Sequence, residues 1–197
     1  MVKSVILLGD GMADYPIDSL SGKTPLEVAH SPNMDLIARS GTLGLFQSIP
    51  PGMPPGSDVA TLSILGYDPQ ECYSGRGPLE SASMGIKLGA TDIAFRCNLV
   101  TFSKEAPRVM DDFTAGHIKS DEAAAIIGSL QQHFAQSSFS FYPGVGYRHL
   151  CVWHGGIASL KTTPPHDITG REIACYLPQG DGAETLLTLM HESRELL

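Results

Sequence analysis

The sequence predicts an α/β protein whose first part is built around a parallel sheet and whose second part is a smaller α+β domain. Two short apolar segments, residues 2–8 and 42–49, flank helical segments in the first part of the chain. Near residue 90 the order changes to strand, helix, strand and strand. With 197 residues, the chain is long enough for one large or two small domains with a hydrophobic core.

Charge and composition exclude several classes of protein. The net charge of −8 argues against general binding to nucleic acid or to a membrane surface, although a few local arginines can still bind an anionic substrate. No apolar run approaches the length of a membrane span. The four cysteines lack C-x-x-C spacing and lie in or near apolar runs, which predicts buried, reduced thiols in a cytoplasmic protein.

The first segment ends on an aspartate between two glycines. Residues 2–8 are mostly apolar, as in a short buried strand, and they lead directly into Asp10. Ligands of open α/β sheets bind at the carboxyl ends of the strands, and carboxylates suit divalent cations. Asp10 is therefore a candidate metal ligand, and an ordinary turn aspartate is the alternative.

A helical region and a second strand follow. Thr24, Pro25 and Glu27 form the pattern of a capping box, and a second helix begins at Ser31-Pro32. Gly41 ends that helix, and residues 42–49 are predicted to form a second strand. A β-α-β unit of this kind has parallel strands and a right-handed crossover.

A loop with four prolines and two glycines, residues 50–56, then leads to Ser57. The apolar run that follows predicts a helix with Ser57 at its N-cap. Unpaired N–H groups and the helix dipole suit such a position to phosphate. The β-α-β unit is expected to bring Ser57 to the same sheet edge as Asp10. A capped helix after a surface loop is the alternative.

Two arginines are candidates for anion binding. Arg76 lies between two glycines, just before a short helix that Pro78 opens, where it can reach an anion or remain a solvated turn residue. Arg96 and Asn98 are two residues apart on a predicted strand. Their side chains share one face, which is either one wall of a cleft or the wet face of a sheet.

The second part has no dinucleotide-binding fingerprint. Ser120 is predicted to cap a helix that ends near residue 134, and two strands joined by a glycine turn follow. The turn contains Gly144 and Gly146 but not the third glycine, and no helix comes after it, so a Rossmann fold is rejected. A polar loop ends at His117, a proline-rich loop contains His166, and residues 182–197 form a final helix.

Motifs along essentially the whole chain resemble one known family, the archaeal-type 2,3-bisphosphoglycerate-independent phosphoglycerate mutases. They occur in the family's order and are Gly9-Asp10-Gly11-Met12-Ala13-Asp14, Gly22-Lys23-Thr24-Pro25-Leu26-Glu27, Pro55-Gly56-Ser57-Asp58, Gly66-Tyr67-Asp68-Pro69, Gly75-Arg76-Gly77-Pro78, Ala94-Phe95-Arg96-Cys97-Asn98, Ala115-Gly116-His117-Ile118, Tyr147-Arg148-His149-Leu150 and Pro164-Pro165-His166-Asp167-Ile168-Thr169-Gly170.

The resemblance implies an alkaline-phosphatase-like core with two divalent metals, manganese, magnesium or zinc, and no 2,3-bisphosphoglycerate cofactor. It implies that Asp10 and Ser57 are metal ligands and that Ser57 is the nucleophile that interconverts 3-phosphoglycerate and 2-phosphoglycerate through a phosphoserine. It also implies that four residues hold the carboxylate or phosphate of the substrate, namely Arg96, His117, Arg148 and His166. Together with Arg76, they make up the predicted substrate-binding site. Many archaeal members have arginine where His117 stands.

The resemblance also implies how the chain divides. Residues 1–91 are expected to be the N-terminal part of the core, residues 92–175 an inserted substrate-binding domain, and residues 176–197 a helix leading back to the rest of the core. The family's other metal ligands lie in the second half of that core. We therefore expect weak metal binding, little mutase activity and self-association through uncovered apolar surface. A related phosphatase or phosphotransferase (homoserine kinase-like) and a non-catalytic binding module are the alternatives.

Overall fold

The computed structural model describes residues 3–157 and 159–197 and confirms a mixed α/β protein. The chain divides into two compact units, one up to Tyr73 and the other from Ser74 to Leu197. The division at residue 91, with an inserted domain and a returning helix, stays a prediction.

The first unit consists of short helices joined by irregular segments. A capping box at Thr24 and Glu27 is confirmed, because the Glu27 N–H donates to Thr24 Oγ1 at 3.2 Å and the Thr24 N–H donates to Glu27 Oε2 at 2.8 Å. The helices of this unit are a 3₁₀ turn at Asp18–Leu20, α1 (Pro25–Val28), α2 (Pro32–Ser40), α3 (Ser57–Ile64) and α4 (Pro69–Cys72).

The prediction of two strands in the first unit is wrong for the described residues. Residues 3–8 and 42–49 form neither strand nor helix, and neither segment pairs with a strand among the described residues; residue 2 lies outside them. Their apolar side chains are exposed, with Leu7 at 89% and Leu45 at 107% of full exposure. A strand needs hydrogen-bonded neighbours and a covered apolar face to be stable. The predicted parallel pair is therefore not formed.

The second unit contains the predicted strand, helix, strand and strand, and two short strands that the sequence did not predict lie between the first of these strands and the helix. Its final helix, α7, is also confirmed. The elements are α5 (Arg76–Ser83), β1 (Ile93–Asn98), β2 (Thr101–Phe102), β3 (Met110–Asp112), α6 (Ser120–His133), β4 (Phe139–Tyr142), β5 (Arg148–Trp153), 3₁₀ turns at Pro165–Ile168 and Ile173–Tyr176, and α7 (Ala183–Leu196).

Three antiparallel strands in the order β1-β5-β4 form the main sheet of this unit. Because side chains alternate along a strand, each face of the sheet has its own character. One face carries apolar residues and belongs to the hydrophobic core with α6 and α7. The opposite face carries Arg96 and Asn98, which pair with Leu150 and Arg148 respectively. The buried core residues are Leu99, Ala123, Ile127, Leu130, Phe134, Phe139, Phe141, Cys151, Trp153, Leu186 and Leu189.

Helix α5 packs very closely against β1 at Gly77. A Cβ atom on Gly77 would lie 1.9 Å from the carbonyl oxygen of Ala94, so a larger residue would push the helix away. Gly75, just before the helix, has φ 107°, a conformation that glycine adopts without strain. These two glycines bring the first turn of α5, with Arg76, next to the strand that carries Arg96.

The cysteines are only partly as expected. Cys151 is buried, but Cys72 and Cys175 are exposed, so the prediction of burial is wrong for those two. All four are free thiols. Over the residues that the structure describes, no helix is both long enough and apolar enough to cross a membrane.

Candidate anion-binding site

Three arginines meet where α5, β1 and β5 pack together, and we call Arg76, Arg96 and Arg148 the arginine cluster. Burial is the largest cause that lowers the pKa of the Arg96 guanidinium below its usual value. Nearby Glu80 raises that pKa, and the positive charges of Arg76 and Arg148 lower it again. Arg96 is therefore close enough to Arg76 and to Arg148 for both to repel its guanidinium, and a nearby anion would relieve that repulsion.

The carboxylate of Glu80 lies next to Arg96 in the arginine cluster. Oε1 of Glu80 lies 3.5 Å from Nε of Arg96, and the Arg96 side chain is only 18% exposed. Glu80 stands four residues after Arg76, so the two lie on the same side of α5. Glu80 therefore offsets part of the positive charge around Arg96 and restricts where its side chain can go.

Aromatic rings support the cluster on one side. The Cζ atom of Arg148 lies 5.3 Å from the ring centroid of Tyr147, a cation–π distance that limits where the guanidinium can go. Phe113 contacts Tyr147 edge to face, with ring centroids 5.7 Å apart. Phe113 also lies 6.1 Å from the ring of His166, so His166 is joined to the cluster through two aromatic rings.

The structure places His117 differently from the arginines. His117 is exposed and has φ 55°, at the end of a loop that the carboxylate of Asp112 organises. Asp112 accepts hydrogen bonds from the Thr114 N–H and hydroxyl and from the Gly116 N–H, each at 2.7 Å. The bonds from Thr114 are the largest cause of the lowered pKa of Asp112, and His117 adds a small effect. No hydrogen bond or ion pair within the described residues links His117 to the arginine cluster.

Two buried polar atoms on the same face of the sheet lack hydrogen bonds. They are Nε of Arg96, whose 3.5 Å approach to Glu80 is not a hydrogen bond, and Oδ1 of Asn98. A buried donor or acceptor without a partner costs about 1–3 kcal/mol. A ligand in this region could therefore pair both with the charges of the arginines and with these two unpaired polar atoms.

Ser57 is the first residue of α3, which corrects its predicted place at the N-cap. Gly56 is the N-cap instead, in an extended conformation, and its carbonyl accepts the Ala60 N–H at 3.0 Å. Glycine fits an N-cap because it adopts the required backbone conformation without strain. Lys119 precedes α6 in the same way, so Ser120 is also one residue inside its helix. The Ser57 hydroxyl remains exposed at the positive end of the helix dipole.

Asp10 lies in an exposed turn whose next residue, Gly11, has φ 67°. No hydrogen bond connects Asp10 and Ser57 in the described part of the chain, and the sheet edge expected to bring them together is not formed. The described residues also contain no group of three or more histidines, cysteines, aspartates or glutamates that could hold a metal ion. Asp10 and Ser57 thus do not make a metal centre by themselves.

Sequence reasoning missed three supporting residues. Glu80 could have been found from its spacing of four from Arg76, which places both on one side of a helix. Tyr147 could have been found because it directly precedes Arg148 on the chain. Phe113 gives no such local signal, because its contacts with Tyr147 and His166 arise only from the tertiary fold.

The fold of the chain resembles that of cofactor-independent phosphoglycerate mutases. A solved structure of such an enzyme from Thermoplasma acidophilum matches with a TM-score of 0.52 and 28% identity, over 95% of this chain and 50% of the other. The solved structure of the PH0037 protein from Pyrococcus horikoshii matches with a TM-score of 0.64 and 30% identity, over 95% of this chain and 42% of the other.

Sequence comparison gives the family directly. A profile described as 2,3-bisphosphoglycerate-independent phosphoglycerate mutase matches residues 38–197. A probable enzyme of that name from Geobacter sulfurreducens and one from Methanosarcina barkeri are each 51% identical to this chain over 197 residues. The chain belongs to the 2,3-bisphosphoglycerate-independent phosphoglycerate mutase family. It matches these two relatives along its whole length but spans only 49% of each of them.

Proposed function

We propose that this chain is part of a cytoplasmic enzyme that interconverts 3-phosphoglycerate and 2-phosphoglycerate, and that its second unit binds the phosphoglycerate. The observation that carries the proposal is the arginine cluster, in which the charges of Arg76 and Arg148 both act on the partly buried guanidinium of Arg96. Family membership supports the same substrate, because the curated relatives are named phosphoglycerate mutases.

The charges of the cluster fit those of the ligand. A phosphoglycerate carries a phosphate and a carboxylate, and guanidinium groups bind both through paired N–H donors. The Arg96 side chain is only 18% exposed and has the Glu80 carboxylate 3.5 Å away, so its position is restricted. Arg148 is exposed but lies over the Tyr147 ring. We infer that Arg76, Arg96 and Arg148 hold the two anionic groups, with His166 and His117 at the margin.

Ser57 is proposed as the residue that accepts the phosphoryl group. Its hydroxyl oxygen would form a bond to phosphorus while the ester bond to glycerate breaks, and the serine proton would pass to the departing glycerate oxygen. Reversal with the other glycerate hydroxyl would yield the isomer. The exposed hydroxyl at the N-terminus of α3 supports this role, because N–H groups of the first helical turn can stabilise phosphate. A phosphoryl group carried by the serine removes the need for 2,3-bisphosphoglycerate.

Asp10 and Ser57 are also proposed to contribute ligands to a site for two divalent metals, manganese, magnesium or zinc. The described residues do not complete such a site. We therefore expect the 197-residue chain to bind metal weakly and to show little turnover. A second candidate function follows from the same observation, namely binding of phosphoglycerate without catalysis, since the arginine cluster lies wholly within one unit.

Calorimetric titration of the chain with 3-phosphoglycerate tests the proposal. Arg96→Met keeps the size of the side chain but removes its charge, so binding should weaken by about tenfold or more, as expected for a partly buried charged contact. Arg194→Met removes an exposed arginine of α7 and serves as the matched control. Equal affinity of wild type and Arg96→Met, or no binding by the wild type, would contradict the proposal.

A coupled assay of 2-phosphoglycerate formation, run on the same samples with each metal, separates the two candidate functions. Binding with turnover that depends on Ser57 supports the mutase. Binding without turnover supports the non-catalytic alternative. Turnover of homoserine with ATP, or release of free phosphate, would instead indicate the related phosphotransferase or phosphatase.

A further inference from the structure

We propose that Asn98 recognises a hydroxyl group of the ligand, so that the site selects phosphorylated hydroxy acids over phosphorylated acids that lack the hydroxyl. This inference rests on the proposed phosphoglycerate site and adds a specificity-determining residue to it. The side-chain oxygen of Asn98 is a buried hydrogen-bond acceptor without a partner, and it lies on the face of the sheet that carries the arginine cluster.

The register of the sheet fixes the place of Asn98. It is the last residue of β1 and pairs directly with Arg148, the first residue of β5. Directly paired residues of antiparallel strands have their side chains on the same face. Arg96 is two residues earlier on β1 and therefore also shares this face. Asn98 thus has one arginine of the cluster across from it and another beside it.

The type of unpaired atom indicates what the ligand must supply. A phosphate dianion and a carboxylate offer only acceptors, so they can pair with the arginines but cannot satisfy the Asn98 oxygen. A hydroxyl group can donate to that oxygen. Both isomers of phosphoglycerate supply such a group, because each has one phosphate, one carboxylate and one free hydroxyl. A single small molecule can therefore satisfy both the guanidinium groups and the Asn98 acceptor.

Selectivity follows from what happens without the hydroxyl. A ligand with the same two anionic groups would still bind the arginines, but it would leave the buried Asn98 oxygen without a hydrogen-bond partner. Sites built to hydrogen-bond a hydroxyl discriminate strongly against analogues that lack it, for this reason. We expect a preference of about tenfold or more for the hydroxy acid.

A comparison of two ligands and two proteins tests the inference. The ligands are 3-phosphoglycerate and 3-phosphonooxypropionate, which lacks only the 2-hydroxyl, with inorganic phosphate as a reference anion. Each is titrated calorimetrically into the wild-type chain and into Asn98→Ala. The wild type should prefer 3-phosphoglycerate by about tenfold, and Asn98→Ala should bind the two acids with nearly equal affinity.

Two further variants control for structure. Gln132→Ala removes an exposed side-chain amide from α6 and should keep the wild-type preference. Asn98→Val places a strand-favouring residue at the position and gives a second measurement if the alanine variant does not fold. Fluorescence of Trp153, which is buried in the core of the same unit, reports folding in every sample.

The outcomes separate this inference from the proposed function. If the wild type binds both acids equally, hydroxyl recognition is wrong, and the anion site stands. If Asn98→Ala and Asn98→Val keep the full preference, another residue recognises the hydroxyl, and the assignment to Asn98 is wrong. If the wild type binds neither acid, the proposed phosphoglycerate site itself is overturned, and the inference with it.

Discussion

His149 should make the second unit lose stability in mild acid. The residue is 1% exposed on β5, and its Nδ1 accepts the Gly144 N–H at 3.0 Å. Burial lowers the pKa of His149 to about 4. Protonation of Nδ1 would place a proton against the Gly144 N–H and a positive charge in the interior. The folded unit therefore holds His149 neutral over a range in which the unfolded chain protonates it.

The size of the effect follows from the two pKa values. An unfolded histidine has a pKa of about 6.5, so the unfolded chain binds more protons than the folded one between pH 6.5 and about 4. Stability is therefore complete above pH 6.5 and falls as the pH is lowered through this window. At 1.36 kcal/mol per pKa unit, the total loss from His149 is about 3 kcal/mol.

Urea unfolding measured at several pH values checks this prediction. Trp153 is the single tryptophan and lies in the core of the same unit, so its fluorescence follows the unfolding of that unit. His149→Asn provides an acceptor for the Gly144 N–H but cannot be protonated. We expect His149→Asn to have a free energy of unfolding about 1–3 kcal/mol below that of the wild type at pH 7.5, because the smaller side chain leaves a cavity. Its pH dependence between 6.5 and 4 should be correspondingly weaker than that of wild type.

Carboxylates also titrate near pH 4, so only the difference between variants is informative. His191→Asn, which changes an exposed histidine of α7, should keep the wild-type pH dependence. Parallel loss of stability in wild type and His149→Asn would refute the reasoning, since it would show that burial of His149 does not couple protonation to folding.

Three further predictions concern packing, the exposed segments and the 112–117 loop. Gly77→Ala should destabilise the second unit by about 1–3 kcal/mol and weaken phosphoglycerate binding, because the added methyl group meets the Ala94 carbonyl. Gly128→Ala adds a methyl group in open space on α6 and should stabilise the same unit by about 0.5–1 kcal/mol. Thermal unfolding of the two variants and the wild type checks both predictions. The exposed apolar side chains of segments 3–8 and 42–49 should drive self-association, and Leu45→Lys should reduce it. Light scattering checks this, and a monodisperse wild-type monomer would contradict the prediction. Asp112→Ala should abolish hydrogen-exchange protection of the Gly116 amide, and unchanged protection would disprove the role of the carboxylate.

The features that the sequence predicts correctly are local. The capping box of α1 depends on residues three apart, and the alternation along β1 already places Arg96 and Asn98 on one face. Local patterns also predict α6 and α7. One strong local rule fails at Ser57, because Gly56 satisfies the N-cap position just as well and the helix starts one residue earlier than a serine cap would give.

The features that the sequence does not reveal depend on distant residues. The segments 3–8 and 42–49 have the composition of buried strands, but composition does not provide the neighbours that a strand requires. Likewise, the role of Glu80 depends on how closely α5 approaches β1, and that approach depends on the absence of a side chain at Gly77. The contact of Phe113 with His166 joins two loops more than 50 residues apart.

The main sheet of the second unit has a polar face and a core face, and this arrangement allows ligand binding to be measured without a catalytic assay. Because the polar face and the core face belong to the same three strands, a ligand that binds only the folded unit raises its melting temperature by mass action. At a concentration of 100 times the dissociation constant, the gain is about 2.7 kcal/mol. Trp153 on the core face reports that shift. A thermal-shift screen of phosphorylated metabolites would therefore rank candidate ligands by their stabilisation of this unit.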